Sequence, residues 1–244
     1  MSGSDVKSGD IEVFENGEAI AYHTAKWLCE QALAKKGAPF ILALSGGSTP
    51  KRLYEILATA EFATRMPWQT VHLFFGDERF VLPTDPASNY HMVKEALLDH
   101  IKIPESNIHP IRYGNSAEAA AESYQGELES IYGAKGLKPG QPLFDVVLLG
   151  LGENGHTASL FPRTPVLQEK IKWVSTCVPD DAPYTRVTLT FPAIHSSRHV
   201  VFMLNGASKK EVFARVRAGD PAEVASHITT EGTLVWLVDK AVVE

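Results

Sequence analysis

Val146-Val-Leu-Leu-Gly-Leu-Gly-Glu-Asn-Gly-His-Thr-Ala-Ser-Leu-Phe-Pro162 decides how this chain is read. Residues 146–149 are apolar without alternation, the mark of a buried strand. The run breaks into Gly150, Gly152 and Gly155, then presents His156 with the hydroxyls of Thr157 and Ser159. Glycines permit a tight turn and close approach of backbone N–H groups to a ligand. Histidine suits proton transfer near neutral pH. The spelling G-x-G-x-x-G over 150–155 matches a dinucleotide fingerprint, but the long helix that should follow is interrupted by Pro162 and Pro165. Asp180 is only a loose match to the acid such a fingerprint needs downstream.

Outward from that stretch, strand and helix patterns alternate. Phe40-Ile-Leu-Ala-Leu44 and Thr70-Val-His-Leu-Phe-Phe75 read as further buried strands, and 11–14, 173–178, 186–190, 199–204 and 233–238 as others. Helices are expected over 18–36, 51–59, 88–98, 116–132 and 208–218. Ser88 is placed as an N-cap. The alternation predicts an α/β fold, a mostly parallel sheet with helices on both faces. One domain over 11–244 is expected behind a flexible polar lead-in, residues 1–10.

Bulk composition narrows the function. The chain has 244 residues, is 44% hydrophobic and 21% charged, and carries a formal charge of -6 with no basic block. That disfavours a dedicated nucleic-acid binder. No apolar run of about 18 residues marks a membrane span. Cys29 and Cys177 are far apart and are read as reduced, buried thiols of a cytoplasmic protein. No metal-ligand spacing, nucleophile elbow or P-loop is present, so no metal and no cofactor is expected. A monomer is expected, with an oligomer left open.

Three strands end in polar chemistry: Ser45-Gly-Gly-Ser-Thr49, Gly76-Asp-Glu-Arg79 and the 150–159 turn. Ligands of open α/β sheets sit beyond the carboxyl ends of the strands, so these tips should converge. Gly46, Gly47, Ser48 and Thr49 open a helix, where N–H groups and the dipole favour an anion. Arg79 can fork onto a phosphate or carboxylate. Asp77 is left two roles, orienting Arg79 or a substrate hydroxyl. Arg186 opens a strand, and Lys209 follows Asn205-Gly206 at a strand-to-helix crossing.

Together, Leu44-Ser-Gly-Gly-Ser-Thr-Pro50, Gly76-Asp-Glu-Arg79 with Ser88-Asn-Tyr90, Gly152-Glu-Asn-Gly-His-Thr-Ala-Ser-Leu-Phe-Pro162, Arg186-Val-Thr-Leu-Thr190 and Gly206-Ala-Ser-Lys209 resemble the 6-phosphogluconolactonase family. The resemblance implies a three-layer α/β/α fold shared with glucosamine-6-phosphate deaminases and ribose-5-phosphate isomerases. It implies hydrolysis of 6-phospho-D-glucono-1,5-lactone, a small-molecule substrate, in the pentose phosphate pathway. On that basis His156 is the expected general base, and N–H groups of the glycine turn around Gly155 are the expected oxyanion donors. The phosphate is expected on Ser45 to Thr49, with Arg79, Arg186 and Lys209 as cations, and Asp77, Asn154 and Gly155 are expected among the substrate contacts. The family pattern carries an acid where this chain has Asn154. An amide cannot stabilise a protonated His156 as a carboxylate does, so another group or the backbone is expected to orient it. Two rivals remain: a glucosamine-6-phosphate deaminase, and a non-catalytic sugar-phosphate sensor on the same scaffold.

Overall fold

The computed structural model describes residues 9–244. Most of the polar lead-in, 1–8, lies outside the described residues, and Asp10 already belongs to the first strand. In chain order the first elements are β1 (Asp10–Phe14), α1 (Gly17–Ala34), β2 (Phe40–Leu44), α2 (Ser48–Leu57), α3 (Ala60–Ala63), β3 (Val71–Phe75) and β4 (Asp77–Arg79). The middle of the chain forms α4 (Asn89–Ala96), β5 (Ile108–His109), α5 (Ala117–Tyr132) and β6 (Val146–Leu149). The last third forms β7 (Val174–Cys177), β8 (Arg186–Leu189), α6 (Phe191–His195), β9 (His199–Leu204), α7 (Lys210–Arg217), β10 (Thr233–Asp239) and α8 (Lys240–Val243).

Local chemistry sets the helix ends. The side chains of Asn16, Ser88 and Ser116 each accept an N–H three residues on, so α1, α4 and α5 start there. Gly133 ends α5 in the left-handed region, φ +79°, where a Cβ would be strained. The expected helix over 208–218 is a short 3₁₀ turn, Ala207–Lys209, followed by α7. Gly206 at φ +92° and the tighter turn delay the helix start.

Seven strands form one sheet in the order β1-β10-β9-β6-β2-β3-β5, every neighbouring pair parallel. All four residues of β6 and four of five in β2 are buried. Successive residues of a strand face opposite ways, so both faces of the sheet are covered by helices. This is the expected three-layer α/β/α arrangement.

One feature departs from a single sheet. β4, β8 and β7 make a separate antiparallel sheet, β4 on β8 and β8 on β7. Gly76 is the joint: its N–H donates to Leu44 O and its carbonyl accepts from Leu189 N. The 77–79 segment, expected as a polar strand tip, is therefore itself a strand, placed beside Arg186–Leu189.

Candidate active site

The direction of winding reverses between β2 and β6. From β2 the chain steps through β3 to β5 on one side, while β6, β9 and β10 extend on the other. Such a reversal opens a crevice beyond the strand ends. A cleft of about 410 Å³ lies there, lined by the 45–50 loop, Asp77, Arg79, Asn89, parts of the 150–158 turn, Asn205 and Lys209. A larger cavity, about 580 Å³, involves Gln141, Arg198 and Glu231 before the opposite ends of β6, β9 and β10 and contains none of the expected site residues. The chemistry belongs to the smaller cleft because the convergent polar groups are there.

The 45–49 loop is pinned from behind. Ser45 N–H donates to the Tyr54 hydroxyl at 3.0 Å, and that hydroxyl donates to Ser45 O at 2.7 Å. A Cβ on Gly46 would lie 2.1 Å from Asn89 Oδ1, so only glycine lets the loop pass. Gly47, φ +105°, precedes α2, which has no side-chain N-cap and no acid in its first turn. Its first N–H groups and positive dipole end face the cleft region unneutralised. Ser48 is exposed there. Thr49 is less available than expected, because its hydroxyl donates to Asn205 Oδ1 at 3.0 Å.

The acids of 77–79 divide their roles. Glu78 is buried and structural: its carboxylate accepts from the N–H groups of Arg79, Asn89 and Tyr90 and from Ser88 Oγ. Burial raises its pKa against these lowering bonds. Asp77 lines the cleft, and its carboxylate accepts from Ser159 Oγ at 2.6 Å and Asn89 Nδ2 at 3.3 Å. Ser159 and Thr157, singled out with the turn, are buried anchors, Thr157 donating to Gly150 O.

Arg79 and Arg186 are direct register partners across β4 and β8. Like charges placed opposite one another are destabilising. Arg79 Nη1 donates to Ala87 O, and Arg186 Nη2 to Pro183 O. Among the described residues, their two Nε atoms are the buried side-chain polar atoms without a partner. Burial, then the Arg79 charge, pull the Arg186 pKa below its usual value. Arg79 and Lys209 line the cleft; Arg186 is buried and is not among its lining residues.

His156 lines the cleft with its ring stacked on Phe161, centroids 4.1 Å apart. A Cβ on Gly152 would fall 2.0 Å from His156 Nδ1, so that glycine makes the ring's seat. Gly155, φ +79°, packs so closely on Glu223 that a Cβ would meet Oε2 at 1.7 Å. Gly155 and Asn154 support the turn from behind rather than lining the cleft. Asn154 corrects the sequence reading: its Oδ1 lies 2.5 Å from His156 Nδ1, so the amide itself orients the ring. Among the described residues His156 Nε2 has no hydrogen-bond partner. Burial lowers the His156 pKa to about 4; Asp77 acts to raise it, Arg186 and Lys209 to lower it, and Asp181 weakly to raise it.

One further expectation changes. The N–H groups of Gly152 and Gly155 are already spent inside the turn, on His156 O and Gly152 O, so they are not free oxyanion donors. No helix follows Gly155, only a bridge between Thr157 and Leu160, in keeping with the sequence argument from Pro162 and Pro165 against a dinucleotide site. Ala158, φ +48°, takes a backbone conformation costly for a residue with Cβ, beside the cleft. No group of three metal-ligating side chains occurs among the described residues, and no helix there is long and apolar enough to cross a membrane. Sequence reading missed Asn205 and Asp181; no local motif marks either.

Residues 15–236 match the family model described as glucosamine-6-phosphate isomerases/6-phosphogluconolactonase. A Synechocystis protein named 6-phosphogluconolactonase is 42% identical over 215 residues, 86% of this chain and 85% of that one. The 6-phosphogluconolactonase of Trypanosoma brucei superposes with a TM-score of 0.84 at 32% identity, covering 98% of both chains. A monomeric glucosamine-6-phosphate deaminase shares the fold, TM-score 0.78 at 21% identity over 96% of this chain and 98% of that one.

Proposed function

This chain belongs to the glucosamine-6-phosphate isomerase/6-phosphogluconolactonase family, and from that premise we propose that it hydrolyses 6-phospho-D-glucono-1,5-lactone to 6-phosphogluconate, with His156 as general base. One observation carries the reading. A single cleft holds a histidine with Nδ1 bound and Nε2 bare, together with an uncapped helix N-terminus, Arg79 and Lys209. The first is a proton acceptor; the second is a phosphate cradle.

In this mechanism the phosphate sits at the start of α2 with Arg79 and Lys209. Two like-charged register partners with unpartnered Nε atoms gain most from a dianion nearby. The C1 carbonyl then lies toward His156. Nε2 takes a proton from water as its oxygen bonds to C1. The tetrahedral intermediate collapses with cleavage of the bond to the ring oxygen, which takes the proton back from the imidazolium. A lactone is an activated ester, so neither a covalent nucleophile nor a metal is needed. Asp77, fixed by Ser159 and Asn89, is placed to accept from a substrate hydroxyl.

The test is direct. Purified protein should accelerate lactone opening well above the spontaneous rate, with no loss after chelation, and should release no ammonia from glucosamine 6-phosphate. Ammonia release without lactone hydrolysis would favour the deaminase reading. Neither reaction, with glucose 6-phosphate-type ligands still binding, would favour a sensor.

A further inference from the structure

We propose that Asn154, aimed by Asp181, is the positioning residue that decides which nitrogen of His156 carries the proton. The chain of contacts runs from Asp181 Oδ2 to Asn154 Nδ2 at 3.2 Å, and from Asn154 Oδ1 to His156 Nδ1 at 2.5 Å. The inference rests on His156 being the base, and it assigns Asn154 a role different from substrate contact.

The argument is one of donors and acceptors. A carboxylate only accepts, so the Asn154 atom facing Asp181 is the amide nitrogen. A backbone N–H only donates, and that of His156 points to Asn154 Oδ1 at 3.3 Å. Both neighbours select the same amide orientation. The oxygen is thereby turned to the imidazole, and the ring nitrogen facing it must carry a hydrogen. A neutral imidazole has one such hydrogen, so Nε2 is left as a bare lone pair. That is the tautomer the reaction uses. An acid in place of Asn154 would select the same tautomer but would also stabilise the imidazolium. The amide does the first without the second.

The remaining charges around the ring come from other elements. Asp77 stands on β4, Arg186 on β8, Lys209 in the turn before α7, and Asp181 in the β7–β8 loop. Of these only Asp181 touches Asn154. Asp181 is exposed and its bond is long, so its share is the smaller one.

A double-mutant cycle tests the relay. With lactone as substrate, Asn154→Ala should lower kcat by about 10- to 100-fold with little change in KM, the scale of losing a partner that fixes a reactive histidine. Asp181→Asn should lower kcat by roughly 2- to 5-fold, because an amide there no longer forces the orientation of Asn154. In an Asn154→Asp background two carboxylates would face each other, so Asp181→Asn should there raise kcat or leave it level. A loss in the native background with a gain or no change in the Asn154→Asp background supports the relay. Equal losses in both would overturn it. Nitrogen-15 NMR of labelled His156 provides a readout independent of turnover. The protonated nitrogen should be Nδ1 in the native chain and mixed in Asn154→Ala. A pure Nδ1–H tautomer in Asn154→Ala would overturn the proposal even if kcat fell. If His156→Ala retained full activity, the base assignment would fail, while the tautomer measurement would still judge the relay.

Discussion

Two histidine networks in this molecule use similar parts to opposite ends. At the outer edge of the parallel sheet, His109 is buried with its ring stacked on Phe74, centroids 4.2 Å apart. Its Nδ1 is 2.6 Å from Glu127 Oε1 and its Nε2 is 3.0 Å from His72 Nδ1. Both nitrogens are spent, and His109 lines neither large cavity. His156 is also stacked on a phenylalanine and also has a side chain bound at Nδ1. Its other nitrogen, however, is unpartnered and the ring lines a cleft. A histidine with one nitrogen fixed and the other facing a cleft is free to exchange a proton; with both fixed and buried, it holds the fold together.

The sharpest way to break this comparison is substitution at the two rings. His156→Ala should reduce kcat for lactone hydrolysis by about 100- to 10,000-fold while the protein stays folded. Unchanged turnover in folded protein would remove His156 from the mechanism. Next in size is the seat of the reactive ring. Gly152→Ala puts a Cβ where His156 Nδ1 lies, so a kcat loss of roughly 100-fold is expected, with far-ultraviolet dichroism unchanged. A variant of native rate would show that the ring tolerates displacement.

His109→Ala should act on stability instead. It leaves His72 and Glu127 without their partner and opens a cavity against Phe74, a loss of about 2 to 4 kcal/mol in urea unfolding. Its kcat, measured well below the unfolding transition, should match that of the native chain. A comparable loss of kcat would erase the contrast between the two networks.

The smallest effect is in pH dependence. Burial holds the His156 pKa at about 4, against 6.5 for a free ring. As the proposed base it is unprotonated above that value, so kcat/KM, which titrates the free protein, should be level from neutral pH to about pH 5.5 and fall through a midpoint near 4. The same group affects stability in the acid range. Between 6.5 and 4 the unfolded chain takes up a proton there that the folded one refuses. The contribution of His156 therefore lowers stability as pH falls through that window and is absent above it. An activity midpoint near 6.5 would indicate a solvated base elsewhere.

Much of this was legible in the chain. Val146–Leu149 and Phe40–Leu44 lack alternation because both of their faces are covered, and burial on both faces follows from parallel pairing. The polar ends of those strands place themselves beyond the sheet by strand direction alone. Ser88 was identifiable as a cap because its side chain acts within three residues. The pairing of 77–79, read as the polar end of a strand, is invisible locally because its partner strand lies more than a hundred residues away. Asn154 was misjudged for a related reason. Its chemistry depends on which atom of the amide faces the ring, and its two neighbours are the His156 backbone N–H and Asp181, the latter 27 positions along.

The sequence by itself determined the alternation of the main strands and helices, the polar chemistry at three strand ends, and His156 as the candidate base, since each is written in local spacing and residue type. Only the tertiary structure decided that Arg79 and Arg186 stand opposite one another, that Asp77 answers to Ser159 and Asn89, and that a neutral amide orients the base. Those outcomes are contacts between distant segments. They depend on sheet register and on donor and acceptor geometry, which arise when the two sheets meet at Gly76.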